Sequence, residues 1–210
     1  MNELAILDAI QLIHTPWLDA LVAAYTSTSD VGQIWILLGI VLAIIPKTRK
    51  LGAAVLVAVL IGAIVTSGIL KPLIMRPRPC DVNPLVPMIV DRPHGSSFPS
   101  GHATAAFAAF GALLFSKGPK PLVIVVGIGA VLMALTRLYC YVHYPTDVLA
   151  GTVAARGIRR RQNRRSGKPQ TSGTAIAIAH LGADARNGHA RNHLETEAPI
   201  PLAPSRSRGR

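Results

Sequence analysis

Charge is scarce in this chain, and cysteine is nearly absent. Charged residues make up 15% of the 210 positions and only ten are acidic, which is little for the solvated surface of a soluble domain. Two cysteines, Cys80 and Cys140, exclude a disulfide framework and leave either one bridge or two free thiols. Aromatic residues reach 5%, and none lies beyond residue 155. A basic stretch without stacking rings lacks the means to read nucleic acid, so no nucleic-acid partner is expected. The opening MNELAILDAI has neither the basic n-region nor the small-residue cleavage site of a secretory signal.

What the chain does have is apolar side chains, 50% of the total, gathered in blocks. Residues 51–70, LGAAVLVAVLIGAIVTSGIL, contain 20 positions without a charge, about the length that crosses roughly 30 Å of hydrocarbon. Similar blocks lie at 31–45, 100–116 and 121–136. The expected fold is all-α, a polytopic membrane bundle of about five to six helices. Residues 4–25 are apolar with Asp8, Gln11, Thr15 and Asp19 along one helical stripe. Pro16 should kink this segment, which either lies in the interface or spans with its polar stripe against neighbours.

The net charge of +12 is unevenly placed. Residues 1–155 hold ten Lys+Arg and seven Asp+Glu; residues 156–210 hold twelve and three. Two domains are therefore expected: a membrane domain over 1–155 and a basic, disordered tail over 156–210. The apolar stretch after Asp147, VLAGTVAA at 148–155, covers only eight residues before RGIRRRQNRR, so the last helix reads as truncated. Arginines at bilayer depth would cost about 2.5–3.5 kcal/mol each even on the lenient insertion scale. Either the tail is a cytoplasmic segment touching anionic lipid, or a shift of coding frame near residue 155 has replaced the evolved ending.

Basic loops orient the bundle. Lys47, Arg49 and Lys50 lie between two blocks, as do Lys117 and Lys120, and the positive-inside bias makes both loops cytoplasmic. Three polar clusters then fall at the opposite, extracytoplasmic end. In KPLIMRPRP, Lys71 and Arg78 stand seven apart, and Pro77 and Pro79 should stop the helix and restrain Arg78. An ammonium beside a guanidinium suits a phosphoryl group. In PSGH, Ser100 is a favoured N-cap and Gly101 admits a ligand to the helix N-terminus. His102 follows in the first turn, placed to move a proton. In TRLYCYVHYPTD, Arg137 offers a second guanidinium, and His143 stands four residues before Asp147 with Pro145 between them. That spacing suggests an imidazole oriented by a carboxylate across a turn into a helix.

Together these clusters resemble the type-2 phosphatidic acid phosphatase superfamily, lipid phosphatases related to vanadium haloperoxidases. Its signature runs Lys, six residues, Arg-Pro; then Pro-Ser-Gly-His; then Ser-Arg, five residues, His, three residues, Asp. Lys71, Arg78 and Pro79 match the first part, Pro99 to His102 the second, and Arg137, His143 and Asp147 the third. Thr136 stands where the family has Ser, keeping a hydroxyl and adding a methyl. The resemblance implies that His143 attacks phosphorus to form a phosphohistidine, oriented by Asp147, while His102 protonates the leaving group. It further implies that Lys71, Ser100, Gly101, Arg78 and Arg137 stabilise the phosphoryl oxygens with neither metal nor cofactor. The implied substrate is a lipid phosphate met in the membrane: undecaprenyl diphosphate first, with phosphatidylglycerol phosphate and phosphatidate as alternatives. A reading of another class is a catalytically silent protein that binds phospholipid headgroups.

Overall fold

Proline, glycine and short polar runs divide the chain into helices, and the elements among the described residues are all helical. The computed structural model describes residues 2–165. Helix α1 spans Glu3–Gln11 with Asn2 as N-cap, and α2 spans Pro16–Ser27. Pro16 thus opens a new helix at its first position instead of kinking a continuous one, because the missing N–H costs nothing there. Helix α3 (Gln33–Ile44) follows a single 3₁₀ turn at Asp30–Gly32. Helix α4 (Arg49–Ala63) widens into a π-helical stretch, Ile64–Leu70, and tightens again in α5 (Lys71–Ile74). Thr66, buried inside the π stretch, donates its hydroxyl to the Gly62 carbonyl at 2.8 Å, satisfying a group the altered ladder would leave open.

Met75 adopts a left-handed conformation (φ 47°) and ends α5 two residues before Pro77. Lys71 therefore lies on a helix and Arg78 on an extended segment (φ −79°, ψ 155°), not on one continuous helix. A one-turn helix, α6 (Pro79–Val82), leads into a loop to residue 100. Then come α7 (Gly101–Phe115), α8 (Lys120–Tyr139) and α9 (Pro145–Arg165). The apolar part of α9 ends at Ala155 as read, yet the helix continues ten residues further, because Arg and Gln are good helix formers whatever their polarity. The rest of the expected tail lies outside the described residues.

Helix α7 is the centre of the bundle and packs against α4, α8 and α9. Its sequence, GHATAAFAAFGALLF, presents small residues on several faces, which lets neighbouring backbones approach closely. The main core joins Trp35, Leu42, Val55, Val59, Ala106, Ala109, Leu113, Val126, Ala130 and Met133. Outside this core the helices expose large apolar side chains, among them Leu37, Ile44, Leu60, Ile124, Val125 and Ile128, with Leu149 on α9. A band of this kind is foreign to a monomeric soluble surface. Two stretches, Arg49–Val82, whose helical turns run unbroken only to Ile74, and Lys120–Tyr139, are long and apolar enough to cross a membrane, and Gln33–Ile44 and Gly101–Phe115 are shorter apolar helices.

Candidate active site

Helix direction brings the three polar clusters together. α4–α5 ends where α7 begins, and α8 ends where α9 begins. The Ser100 N–H donates to the Asp147 carbonyl at 3.1 Å, tying the last two starts to each other. Gly151 allows this approach: a Cβ there would stand 2.8 Å from the Ser100 carbonyl oxygen.

Ser100 caps α7, its hydroxyl accepting from the Ala103 N–H at 3.5 Å. Beside Gly101 the space is open, and a Cβ added there would meet no heavy atom within 4 Å. His102 lies partly exposed in the first turn, its Nε2 3.3 Å from Asp30 Oδ1. Asp30 was not legible as a site residue, since 72 positions separate it from His102.

The two guanidiniums behave differently. Arg78 is buried and fully engaged. Nε donates to the Gly95 carbonyl at 3.1 Å, Nη2 reaches those of His94 and Ser96 at 3.4 and 3.3 Å, and Nη1 that of Val142 at 3.1 Å. Nη1 also stands 3.4 Å from His143 Nε2. The loop thus fixes this cation against the imidazole more firmly than the flanking prolines alone would. Arg137 is equally buried, but among the described residues only its Nη1 is held, by the Thr26 hydroxyl, and its Nε has no partner. A buried, unpartnered N–H of a cation is costly unless something anionic comes to meet it. Lys71 is half-buried at the rim of a cleft of about 640 Å³ that it shares with Arg76 and Ser96. The Thr136 hydroxyl turns back to its own helix, donating to the Met133 carbonyl at 2.8 Å.

His143 sits in the turn between α8 and α9, with Pro145 at the first position of α9 and Asp147 in its first turn. Tyr141, left-handed (φ 57°) and buried, anchors this turn by donating its hydroxyl to Asp8 at 2.6 Å. Nδ1 of His143 lies 3.7 Å from Asp147 Oδ2, close enough for charge interaction but beyond a hydrogen bond, and has no other partner. Burial pushes the imidazole down to about 4, partly offset by Asp147, so it is neutral at pH 7. Its Nε2 lone pair then faces the edge of Arg78. Asp147 is fully buried and accepts from the Tyr144 N–H at 2.9 Å and from Arg76 Nη1 at 2.7 Å.

All the residues expected at the site therefore lie at one end of the bundle. Arg76, Thr26 and Asp30 join them, each as the partner of a residue already singled out, and Glu3 joins through Arg76. Cys80 and Cys140 are both buried free thiols. Among the described residues, no three His, Cys, Asp or Glu side chains come together as ligands for a metal ion.

A membrane helix bundle whose helix starts bring a neutral imidazole, a buried carboxylate and several cations to one point is the architecture of a membrane phosphatase. A model described as the PAP2 superfamily matches residues 52–159. The chain belongs to that superfamily, whose members among its relatives are phosphatases. It is 36% identical over 119 residues to an undecaprenyl-diphosphatase of Sulfolobus acidocaldarius, covering 56% of this chain and 56% of that protein. It is 34% identical over 160 residues to a decaprenylphosphoryl-5-phosphoribose phosphatase of Mycobacterium tuberculosis, covering 71% and 82%. The crystal structure of a transmembrane PAP2-type phosphatidylglycerolphosphate phosphatase from Bacillus subtilis superposes with a TM-score of 0.61 at 25% identity, covering 81% and 87%.

Proposed function

We propose that residues 1–155 form a lipid phosphatase domain that works through a phosphohistidine, and that its substrate is undecaprenyl diphosphate. The observation that carries the mechanism is the meeting of His143 Nε2, the Arg78 edge and the unpartnered Nε of Arg137 beside the open start of α7. His143 Nε2 attacks phosphorus, and the bond to the lipid-side oxygen breaks with that oxygen taking a proton from His102. Water then attacks the phosphohistidine and gives a proton back to His102. Inorganic phosphate leaves, and His143 is neutral again. Arg137, Lys71, Arg78, Ser100 and the amide of Gly101 hold the equatorial oxygens through both steps.

Two sequence relatives named above act, by their names, on polyprenyl carriers, which favours undecaprenyl diphosphate over phosphatidylglycerol phosphate and phosphatidate. The positive-inside bias supports an extracytoplasmic site, because the loops with Lys47, Arg49, Lys50, Lys117 and Lys120 lie at the other ends of the helices. A competition assay among the three lipids in micelles, run beside His143→Ala, tests both statements. Phosphate release fastest from undecaprenyl diphosphate and abolished in the variant is expected. Equal release by both proteins would reject the nucleophile, and preference for a glycerolipid would reject the substrate.

A further inference from the structure

Arg76 has no part in the signature residues, yet its guanidinium pairs with two carboxylates. Nη1 donates to Asp147 Oδ1 at 2.7 Å and to the Thr146 hydroxyl at 2.7 Å. Nη2 donates to Glu3 Oε2 at 2.6 Å, and the guanidinium carbon lies 3.9 Å above the centre of the Tyr144 ring. Glu3 closes the network from the other side, its Oε1 accepting from the Thr146 N–H at 2.9 Å and hydroxyl at 2.8 Å. One cation thus links two carboxylates, one of them wholly buried beside the nucleophile.

We propose that Arg76 and Glu3 are positioning residues that set how much of the Asp147 charge His143 feels. This rests on the reading of His143 as nucleophile. Asp147 cannot stay buried and anionic without partners. With Arg76 on Oδ1 and the Tyr144 N–H on Oδ2, the carboxylate is satisfied without taking a proton-bearing imidazolium as its partner. The 3.7 Å gap to Nδ1 is the geometric consequence. Glu3 in turn draws part of the Arg76 charge away from Asp147. The other charged groups around the pair are Arg78 on the extended segment, Arg137 on α8, His102 on α7 and Lys71 on α5. Asp30 beside His102 and Asp81 near Arg78 are the neighbouring carboxylates, and Glu3 and Asp147 are the two that bear on Arg76 directly.

The signs follow from Coulomb's law. Removing Arg76 leaves Asp147 facing His143 with its charge undivided, so the imidazole becomes easier to protonate. Neutralising Glu3 does the reverse, because Arg76 then acts on Asp147 undiluted. A network serving only to fasten α1 would move both variants alike, through stability.

The test measures kcat and KM from pH 3.5 to 9 for the wild type, Arg76→Ala, Arg76→Lys, Glu3→Gln and His143→Ala. The substrate is whichever of the three lipid phosphates is hydrolysed fastest. In Arg76→Ala, kcat should fall about 10- to 100-fold with KM within about threefold, and the acid limb of kcat/KM should rise by roughly one pH unit. Arg76→Lys should recover part of kcat, keeping the charge but losing the fork. Glu3→Gln should move the acid limb the other way, by roughly half a unit. Limbs that stay in place, or move together, overturn the inference. Should Arg76→Ala fail to fold, the direction of the Glu3→Gln limb decides alone. Full activity in His143→Ala would instead bring down the reading of the nucleophile, a result distinct from either.

Discussion

The starts of α7 and α9 do related work under different conditions. Each places a histidine within a turn of its first residue, and the Ser100 N–H joins the two through the Asp147 carbonyl. At α9 the His143 side chain is 3% exposed and its neighbour Asp147 is sealed. At α7 the His102 side chain is 19% exposed and faces the solvent-lying Asp30. Burial shields the His143 lone pair from water, which suits a nucleophile. Exposure lets a group exchange protons with water between steps, which suits an acid that must reload. The difference between the two histidines lies in surroundings, not in residue type.

The strongest way to break that comparison is to exchange the consequences of losing each residue. His143→Ala should lose activity on the order of 10⁴-fold or more against every substrate while keeping its thermal unfolding temperature. Loss in His102→Ala should be smaller, about 10²- to 10⁴-fold on a lipid phosphate, and should shrink on p-nitrophenyl phosphate, whose leaving group needs no proton. Equal loss on both substrates would remove His102 from the role of acid. Arg137→Ala should cost about 10²- to 10³-fold in kcat, because its free Nε is the donor with nothing else to hold.

Acid sharpens the same contrast. His143 is lowered to about 4 by burial, and on the proposed mechanism its neutral form attacks. Activity in kcat/KM should therefore persist down to about pH 4 and fall roughly tenfold per unit below it. An acid limb near 6.5 would mean that the imidazole is open to water. The smallest effect expected is that of Thr26→Val, which leaves Arg137 in place without its hydroxyl partner; kcat should drop about three- to tenfold, read in the same assay.

Much of the site could be read from the chain because its chemistry is written in short local strings. Ser100 as cap, Pro145 as helix opener and the His143–Asp147 interval all depend on neighbours within four residues. The bundle was legible for a related reason, since apolar length alone sets a membrane helix. Glu3, Thr26, Asp30 and Arg76 escaped because their meaning lies in partners 70 or more positions away. Arg76 and Arg78 are also alike in sequence, each followed by proline, and only packing shows that one turns to Asp147 and the other to the imidazole. The reach of α9 past Ala155 was hidden because hydropathy reports where lipid ends, not where helical hydrogen bonding ends.

Gly151 lets α9 rest on α7 almost backbone to backbone at the point where both helices begin. Contact this close ties the start of α7, with His102, to the turn that carries His143. On the proposed function, a lipid phosphate would reach this pair from the cleft of about 640 Å³ lined by Lys71, Arg76 and Ser96.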